Sequence, residues 1–134
     1  MFKTVLFAID GSRESLDAAE TVAKMVKTCS SRLVMVSVVE PIAPDREPDA
    51  MNSAEAIAKL LQGAHDLFAA QGIEAETIER EGMPSFVICD VADEIEADLI
   101  VMGTRGLGLT SENAAESVTT RVISLSPCPV LIVP

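Results

Sequence analysis

Residues 103–108 read Gly-Thr-Arg-Gly-Leu-Gly, which places three of the chain's seven glycines within six residues. The segment follows an apolar run that is typical of a buried strand, and it precedes a stretch with helical spacing. Glycines at such a junction permit positive φ and let backbone N–H groups approach an anion without a Cβ in the way. A helix N-terminus just downstream would add its dipole. The segment therefore indicates phosphate binding, and the alternative is a flexible connection without a ligand.

The spacing of these glycines, G-x-x-G-x-G, supports neither of two common nucleotide motifs. It is not the G-x-G-x-x-G of Rossmann dehydrogenases, nor the G-x-x-x-x-G-K-[ST] of Walker-type NTPases. His65 is the only histidine, and Cys29, Cys89 and Cys128 are widely spaced. These residues suggest neither a metal site nor a Ser/His/Asp or Cys/His catalytic arrangement. We expect free thiols that are buried or partly buried, and a protein that is not an enzyme.

The charge balance excludes several partners. Ten Lys and Arg residues against 21 Asp and Glu residues give a formal net charge of −11 at pH 7, which would repel nucleic acids and anionic membranes. The 134 residues suit a single domain over 1–134. The short apolar stretch near the N-terminus could not span a membrane and has no cleavage pattern after it. We therefore expect a cytoplasmic protein with neither a nucleic-acid nor a membrane partner.

The elements that must position these residues alternate between strands and helices. Apolar runs predict buried strands at 5–9, 33–39, 99–102 and 129–133, and a weak alternation at 74–80 predicts an exposed edge strand. Helical spacing predicts helices at about 12–28 and 53–70 and from Pro84 to about 95. Residues 117–126 are rich in Val, Ile and Thr, so propensity alone would allow a strand there. A crossover is needed between two parallel strands, however, and we predict a helix.

The predicted order is that of a doubly wound parallel sheet, in which ligands bind beyond the carboxyl ends of the strands. Asp10-Gly11-Ser12, Val38-Val39-Glu40 and the glycine-rich segment all fall at such ends. Prolines within 40–51 predict a surface loop. The predicted buried faces of the two long helices consist of Leu16, Ala19, Val22, Ala23 and Val26, and of Ile57, Leu60, Leu61, Ala64, Leu67 and Phe68.

Three further segments carry a resemblance to a known family. Met102-Gly103-Thr104-Arg105-Gly106 is followed after nine residues by Glu116-Ser117-Val118 and then by Cys128-Pro129-Val130-Leu131-Ile132-Val133. With the opening Val5–Ser12 strand and turn, this pattern resembles the universal stress protein family over essentially the whole chain. Nucleotide-binding members of that family carry G-x-x-G-x(9)-G-[S/T] and a final strand like C-P-V-L-V-V. The resemblance implies an open, doubly wound five-stranded parallel sheet flanked by helices, which is Rossmann-like and adenine nucleotide alpha hydrolase-like.

The resemblance also implies a regulatory protein that binds an adenine nucleotide, AMP, ADP or ATP, with magnesium accompanying ATP. It puts Ala8 near the base or sugar, Asp10 near the ribose and the Val38 backbone at the adenine edge. The phosphate path would be lined by Gly103, Gly106, Ser117 and Val118, and Met102 would be a further nucleotide-binding residue. Arg105 lies between the first two glycines, where it either adds a positive charge or is an ordinary solvated loop residue.

Glu116 departs from the pattern, because the ATP-binding members have a glycine there. A side chain at this position restricts positive φ and close approach of a phosphate, and the carboxylate repels a negative ligand. A triphosphate that reaches Glu116 would be repelled more than a monophosphate that ends short of it. We therefore expect weak ATP binding, with AMP or another short-phosphate adenine nucleotide as the better ligand. Magnesium bridging Glu116 to phosphates would reverse this preference.

The strand order of the resembled family implies that the last strand, 129–133, is an edge strand. A bare apolar edge favours pairing with another chain. By the resemblance, it would pair antiparallel with its symmetry mate in a C2 homodimer. Two other functions remain open: an interaction protein with an empty cleft that binds a protein partner, and a slow ATP hydrolase.

Overall fold

The computed structural model describes residues 1–40, 53–103 and 112–134, with the side chains of residues 13, 14 and 112–117 excepted. Within these ranges strands and helices alternate along the chain. The elements are β1 Thr4–Ala8, α1 Arg13–Cys29, β2 Arg32–Val39, α2 Ala54–Ala69, β3 Ala75–Glu81, α3 Pro84–Glu94, β4 Leu99–Gly103, α4 Glu112–Leu125 and β5 Val130–Val133. The loop predicted at 40–51 and most of the glycine-rich segment lie outside the described residues.

The strands form one parallel sheet with the order β3-β2-β1-β4-β5. The predicted doubly wound five-stranded sheet is therefore confirmed, and β3 is an edge strand as predicted. The chain first adds strands on one side of β1 and then, through α3, crosses to the other side. The strand order consequently reverses between β1 and β4, and this is the point where open α/β sheets bind ligands.

Each face of the sheet buries its own apolar core. Val5 and Phe7 of β1 pack in one cluster with residues of α1 and α2, whereas Leu6 and Ala8 pack in a second cluster with residues of α3 and α4. Successive strand residues point to opposite faces, so a strand covered on both sides must be apolar throughout. This requirement explains the uninterrupted apolar runs that identify β1 and β4 in the sequence.

Residues 117–126, which propensity alone left ambiguous, fall mainly in α4. The helix prediction is confirmed there. Val122 of this helix is completely buried in the second cluster. The crossover between parallel β4 and β5 thus overrides the β-branched composition of the segment.

Two residues of the predicted buried faces, Leu16 and Leu67, are exposed, and Leu60 and Ala64 are only partly buried. The side chains of Leu16 and Leu67 are 57% and 47% exposed. On α1 the inward position beside Leu16 is taken by Ser15. This polar residue can be buried because its Oγ accepts a hydrogen bond from the Asp10 N–H at 3.0 Å. On α2 the buried positions are Ile57, Leu61 and Phe68, and Leu67 lies to one side of this row.

Local signals fix where the helices that border the sheet edge begin. Ser12 is the N-cap of α1, and its side chain accepts a hydrogen bond from the Ser15 N–H. Pro84 occupies the first turn of α3, where its missing N–H costs nothing. Just before it, Gly82 has φ +151°, and a Cβ there would meet Val87 Cγ2 at 2.8 Å. Only glycine fits this entry to α3 without strain.

Candidate functional site

A cleft opens at the carboxyl edge of the sheet, over the switch point between β1 and β4. The empty space at this position, including the part open to solvent, is about 830 Å³. The ends of β1, β2 and β4 form its floor. Its walls include Ile57 of α2, Pro84 and Ile88 of α3, and Val118 and Thr119 of α4.

The turn after β1 holds a carboxylate at the centre of this cleft. Asp10 Oδ1 accepts a hydrogen bond from the Ser12 N–H at 2.8 Å, and the Asp10 N–H donates to Ser15 Oγ. One contact is made with the N-cap and the other with the first turn of α1, so Asp10 and the helix N-terminus hold each other in place. A carboxylate fixed in this way is suited to accept hydrogen bonds from ligand hydroxyl groups.

The backbone of Val38 faces the same cleft. The Val36 carbonyl accepts from the Ile9 N–H at 2.9 Å on the β1 side, and the Val39 carbonyl accepts from the Gly82 N–H at 3.0 Å on the β3 side. Backbone groups of successive residues in a parallel strand point alternately to its two neighbours. Those of Val38 therefore point to the β1 side, at a level where the pairing of β1 has ended.

Ser37 is a site residue that the sequence reasoning missed. Its side chain is buried, and its hydroxyl donates to the Ile9 carbonyl at 2.8 Å. In a continuing ladder that carbonyl would accept from the Val38 N–H. The Ser37 hydroxyl donates to that carbonyl, and Val38 lines the cleft at this level. The signal for it was a serine within the apolar run 33–39, since a polar residue in a buried strand needs a partner.

The remaining described part of the cleft lies at the end of β4. Ala8, Met102 and Gly103, all predicted site residues, are buried at the floor, and Val118 is half-buried on α4. Among the described lining residues, the charged side chains are those of Asp10 and Glu40, and both are acidic. The described lining thus has acidic side chains at the ends of β1 and β2 and no charged side chain at the end of β4 or on α4.

For four predicted site residues, the structure does not describe the part of the residue that would contact a ligand. Arg105 and Gly106 lie outside the described residues. Glu116 and Ser117 fall within α4, but their side chains also lie outside the described part. Because an α-helical residue has negative φ, the expected conformational conflict at Glu116 does not arise. The electrostatic expectation for Glu116 stays a prediction.

The cysteines lie away from the cleft lining. Cys89 is buried, with its Sγ 3.9 Å from the Val122 carbonyl, and Cys29 and Cys128 are partly buried. Burial raises the pKa of the Cys89 and Cys128 thiols above the ordinary value, so both are protonated at neutral pH. Across the described ranges, no group of three His, Cys, Asp or Glu side chains is arranged to hold a metal ion.

Comparisons with known proteins agree with this fold. The sequence matches the Universal stress protein family over residues 1–134. The universal stress protein Sll1654 of Synechocystis sp. is 63% identical over 136 residues, covering all of this chain and 87% of the relative. A universal stress protein of Thermus aquaticus is 35% identical over 141 residues, covering 99% of each chain. A crystal structure of a universal stress protein in complex with cAMP is 27% identical with a TM-score of 0.80, covering 99% of this chain and 97% of that chain.

A parallel sheet with a cleft at its switch point defines an α/β domain of the Rossmann-like class. Within that class, this chain belongs to the universal stress protein family. In the described part of the chain, none of the helices is both long and apolar enough to cross a membrane.

Proposed function

We propose that this protein binds an adenine nucleotide in the cleft and acts as a regulatory binding protein, not an enzyme, in a cytoplasmic stress response. The observation that carries the proposal is the meeting of the Val38 backbone and the Asp10 carboxylate in one cleft at the switch point. One is suited to an adenine edge and the other to ribose hydroxyls. The complex of a 27% identical relative with cAMP supports this ligand class.

The order of the strands gives the nucleotide a direction. With the base at Val38 on β2 and the ribose at Asp10 on β1, the phosphate lies at the end of β4. There we propose contacts with Met102, Gly103, Gly106, Ser117 and Val118, with Ala8 near the base or sugar. This direction takes the phosphate away from Glu40 on β2, and Arg105 would offset part of the remaining negative charge.

We further propose that AMP binds more tightly than ATP. The described charged residues of the cleft are acidic, and Glu116 replaces the phosphate-path glycine of ATP-binding members. Each added phosphate brings negative charge into this field. Magnesium, if it accompanies ATP, would counter the repulsion, so the preference is to be measured with and without it.

The proposal is tested by calorimetric titration of nucleotide-stripped protein with AMP, ADP and ATP, in the presence and absence of magnesium. We expect micromolar binding that weakens from AMP to ATP, because the repulsion grows with phosphate number. GTP titrated under the same conditions is the control for the base. The absence of heat with all three adenine nucleotides would contradict the proposal and favour an interaction protein with an empty cleft. Phosphate release from ATP above background would contradict the non-enzymatic role.

We also propose a C2 homodimer formed through residues 129–133. β5 is an edge strand of the sheet in the described chain, and all four of its side chains are only partly buried. Its side chains pack alternately into both core clusters. An apolar edge of this kind is a template for pairing with a second copy.

Lysine at Ile132 should abolish this dimer, because a charged side chain on an edge strand opposes strand pairing. Lysine at Ile78 is the matched control. Both isoleucines are partly buried, lie on edge strands and pack against the second cluster, but Ile78 is on β3 at the opposite edge. Sedimentation velocity should give a dimer for the wild type and Ile78→Lys and a monomer for Ile132→Lys. A monomeric wild type, or a dimer lost equally in both variants, would contradict pairing through β5.

A further inference from the structure

Thr119 carries a hydroxyl group that the fold itself does not use. The residue is only 9% exposed and lines the cleft from α4. Among the described residues, its hydroxyl has no hydrogen-bond partner. No side-chain nitrogen or oxygen of the described residues is both fully buried and unpaired. The Thr119 oxygen is therefore not fully enclosed by the protein, and the residue lines the cleft.

Other hydroxyl groups in the helices are paired within their own helix. Thr28 Oγ1 donates to the Lys24 carbonyl at 2.8 Å, and Ser124 Oγ donates to the Thr120 carbonyl at 2.9 Å. This bond to the carbonyl four residues earlier is the usual way to satisfy a hydroxyl in a helix. Thr119 is less exposed than either but lacks a described partner. A nearly buried donor facing a cleft without a protein partner points to a ligand.

The position of Thr119 indicates which part of a ligand it meets. The strand ends follow the order β2, β1, β4 across the cleft, with Val38, Asp10 and Gly103 at them. Thr119 is on α4, which follows β4 in the chain, and it lines the cleft together with Met102 and Gly103 of β4. Its described neighbours in the lining there, Gly103 and Val118, carry no charge. An anionic ligand group is better accommodated beside a neutral hydroxyl donor than beside the carboxylates of Asp10 and Glu40.

Resting on the proposed function, we propose that Thr119 determines specificity for the phosphate end of the nucleotide, with its hydroxyl donating a hydrogen bond to a phosphate oxygen. Thr119 is then a binding residue with two separable properties. Its hydroxyl contributes to affinity for a nucleotide. The same hydroxyl contributes nothing to the stability of the unliganded protein, since an unpaired hydroxyl in a nearly buried place is neutral or unfavourable there.

The test compares Thr119→Val with Thr119→Ser and with Thr120→Val. Valine keeps the β-branched shape without the hydroxyl, serine keeps the hydroxyl, and Thr120 is an exposed threonine on the same helix. By calorimetry, Thr119→Val should bind AMP about tenfold or more weakly, the expected loss for a hydrogen bond to a charged group. Thr119→Ser and Thr120→Val should bind within about threefold of the wild type. The loss should be smaller for adenosine, which lacks the phosphate.

Thermal unfolding without ligand supplies an independent readout. Thr119→Val should unfold at the same temperature as the wild type or above it, because no described bond is lost. A clearly lower unfolding temperature would show that the hydroxyl has a structural partner, and would overturn the proposal. Equal AMP affinity in the wild type and Thr119→Val would also overturn the proposal. An equal loss of affinity for AMP and for adenosine would overturn the phosphate contact. Those results leave nucleotide binding intact, whereas a wild type that binds neither AMP nor adenosine refutes both proposals.

Discussion

Replacement of Phe68 by alanine is expected to lower the free energy of unfolding by about 3–5 kcal/mol. Phe68 of α2 is completely buried and packs edge-to-face against Phe7 of β1, with ring centroids 6.3 Å apart and an interplanar angle of 86°. The substitution removes the apolar contact area and leaves a cavity between helix and sheet. The loss is to be measured by urea unfolding followed by circular dichroism.

Phe86→Ala is the matched control for this prediction. Phe86 is 50% exposed on α3, so its removal opens no cavity in the core and should change the free energy of unfolding by less than about 0.5 kcal/mol. A similar loss in both variants would contradict the burial pattern of the two helices. A loss below about 1 kcal/mol for Phe68→Ala would contradict the tight packing of α2 on β1.

Glu116→Gln is expected to raise the affinity for ATP by up to about a hundredfold. A carboxylate about 5 Å from a phosphate charge, at an effective dielectric constant of about 20, costs roughly 3 kcal/mol, which corresponds to two decades in affinity. Solvent and Arg105 reduce this figure. AMP should gain much less, because its single phosphate ends short of Glu116 in the proposed direction. Calorimetry with both nucleotides measures the difference.

Glu20→Gln controls for the change in net charge. Glu20 is an exposed residue of α1 that pairs with Lys24 in the next turn, and it does not line the cleft. Its substitution alters the total charge by the same amount and should leave both affinities within about twofold, since distant exposed charges are screened. If Glu116→Gln leaves ATP affinity unchanged, the electrostatic account of this position is wrong.

Much of the fold could be predicted from the sequence because each face of the sheet is covered. Burial on both sides forces continuous apolar runs, which is why β1 and β4 stand out within one or two residues of their observed ends. The ambiguous segment at 117–126 required a topological argument instead. Its local composition favours a strand, and only the need for a crossover identifies the helix.

The errors and omissions share one physical cause. Leu16 was predicted to be buried and Ser15 was overlooked, because helical spacing counts apolar side chains and does not register a serine paired with a backbone N–H. Ser37 was missed for the same reason, since its partner is the carbonyl of Ile9, 28 residues away in sequence. Thr119 is harder still. It was noticed because its hydroxyl has no hydrogen-bond partner among the described residues. Such an absence is visible only in the folded structure.

Because the Ser37 hydroxyl donates to the Ile9 carbonyl, the β1–β2 ladder lacks its next backbone hydrogen bond, and the backbone of Val38 is on the side where that bond would have formed. A flat heterocycle with a donor beside an acceptor can form hydrogen bonds with this backbone, as an added strand would. Recognition of this kind reads no side chain at position 38. Any residue with a backbone N–H can occupy this position without altering the choice of base, and proline alone would end it. In the proposed nucleotide complex, the base preference therefore depends on the course of the main chain, and it can persist while the side chains around it diverge.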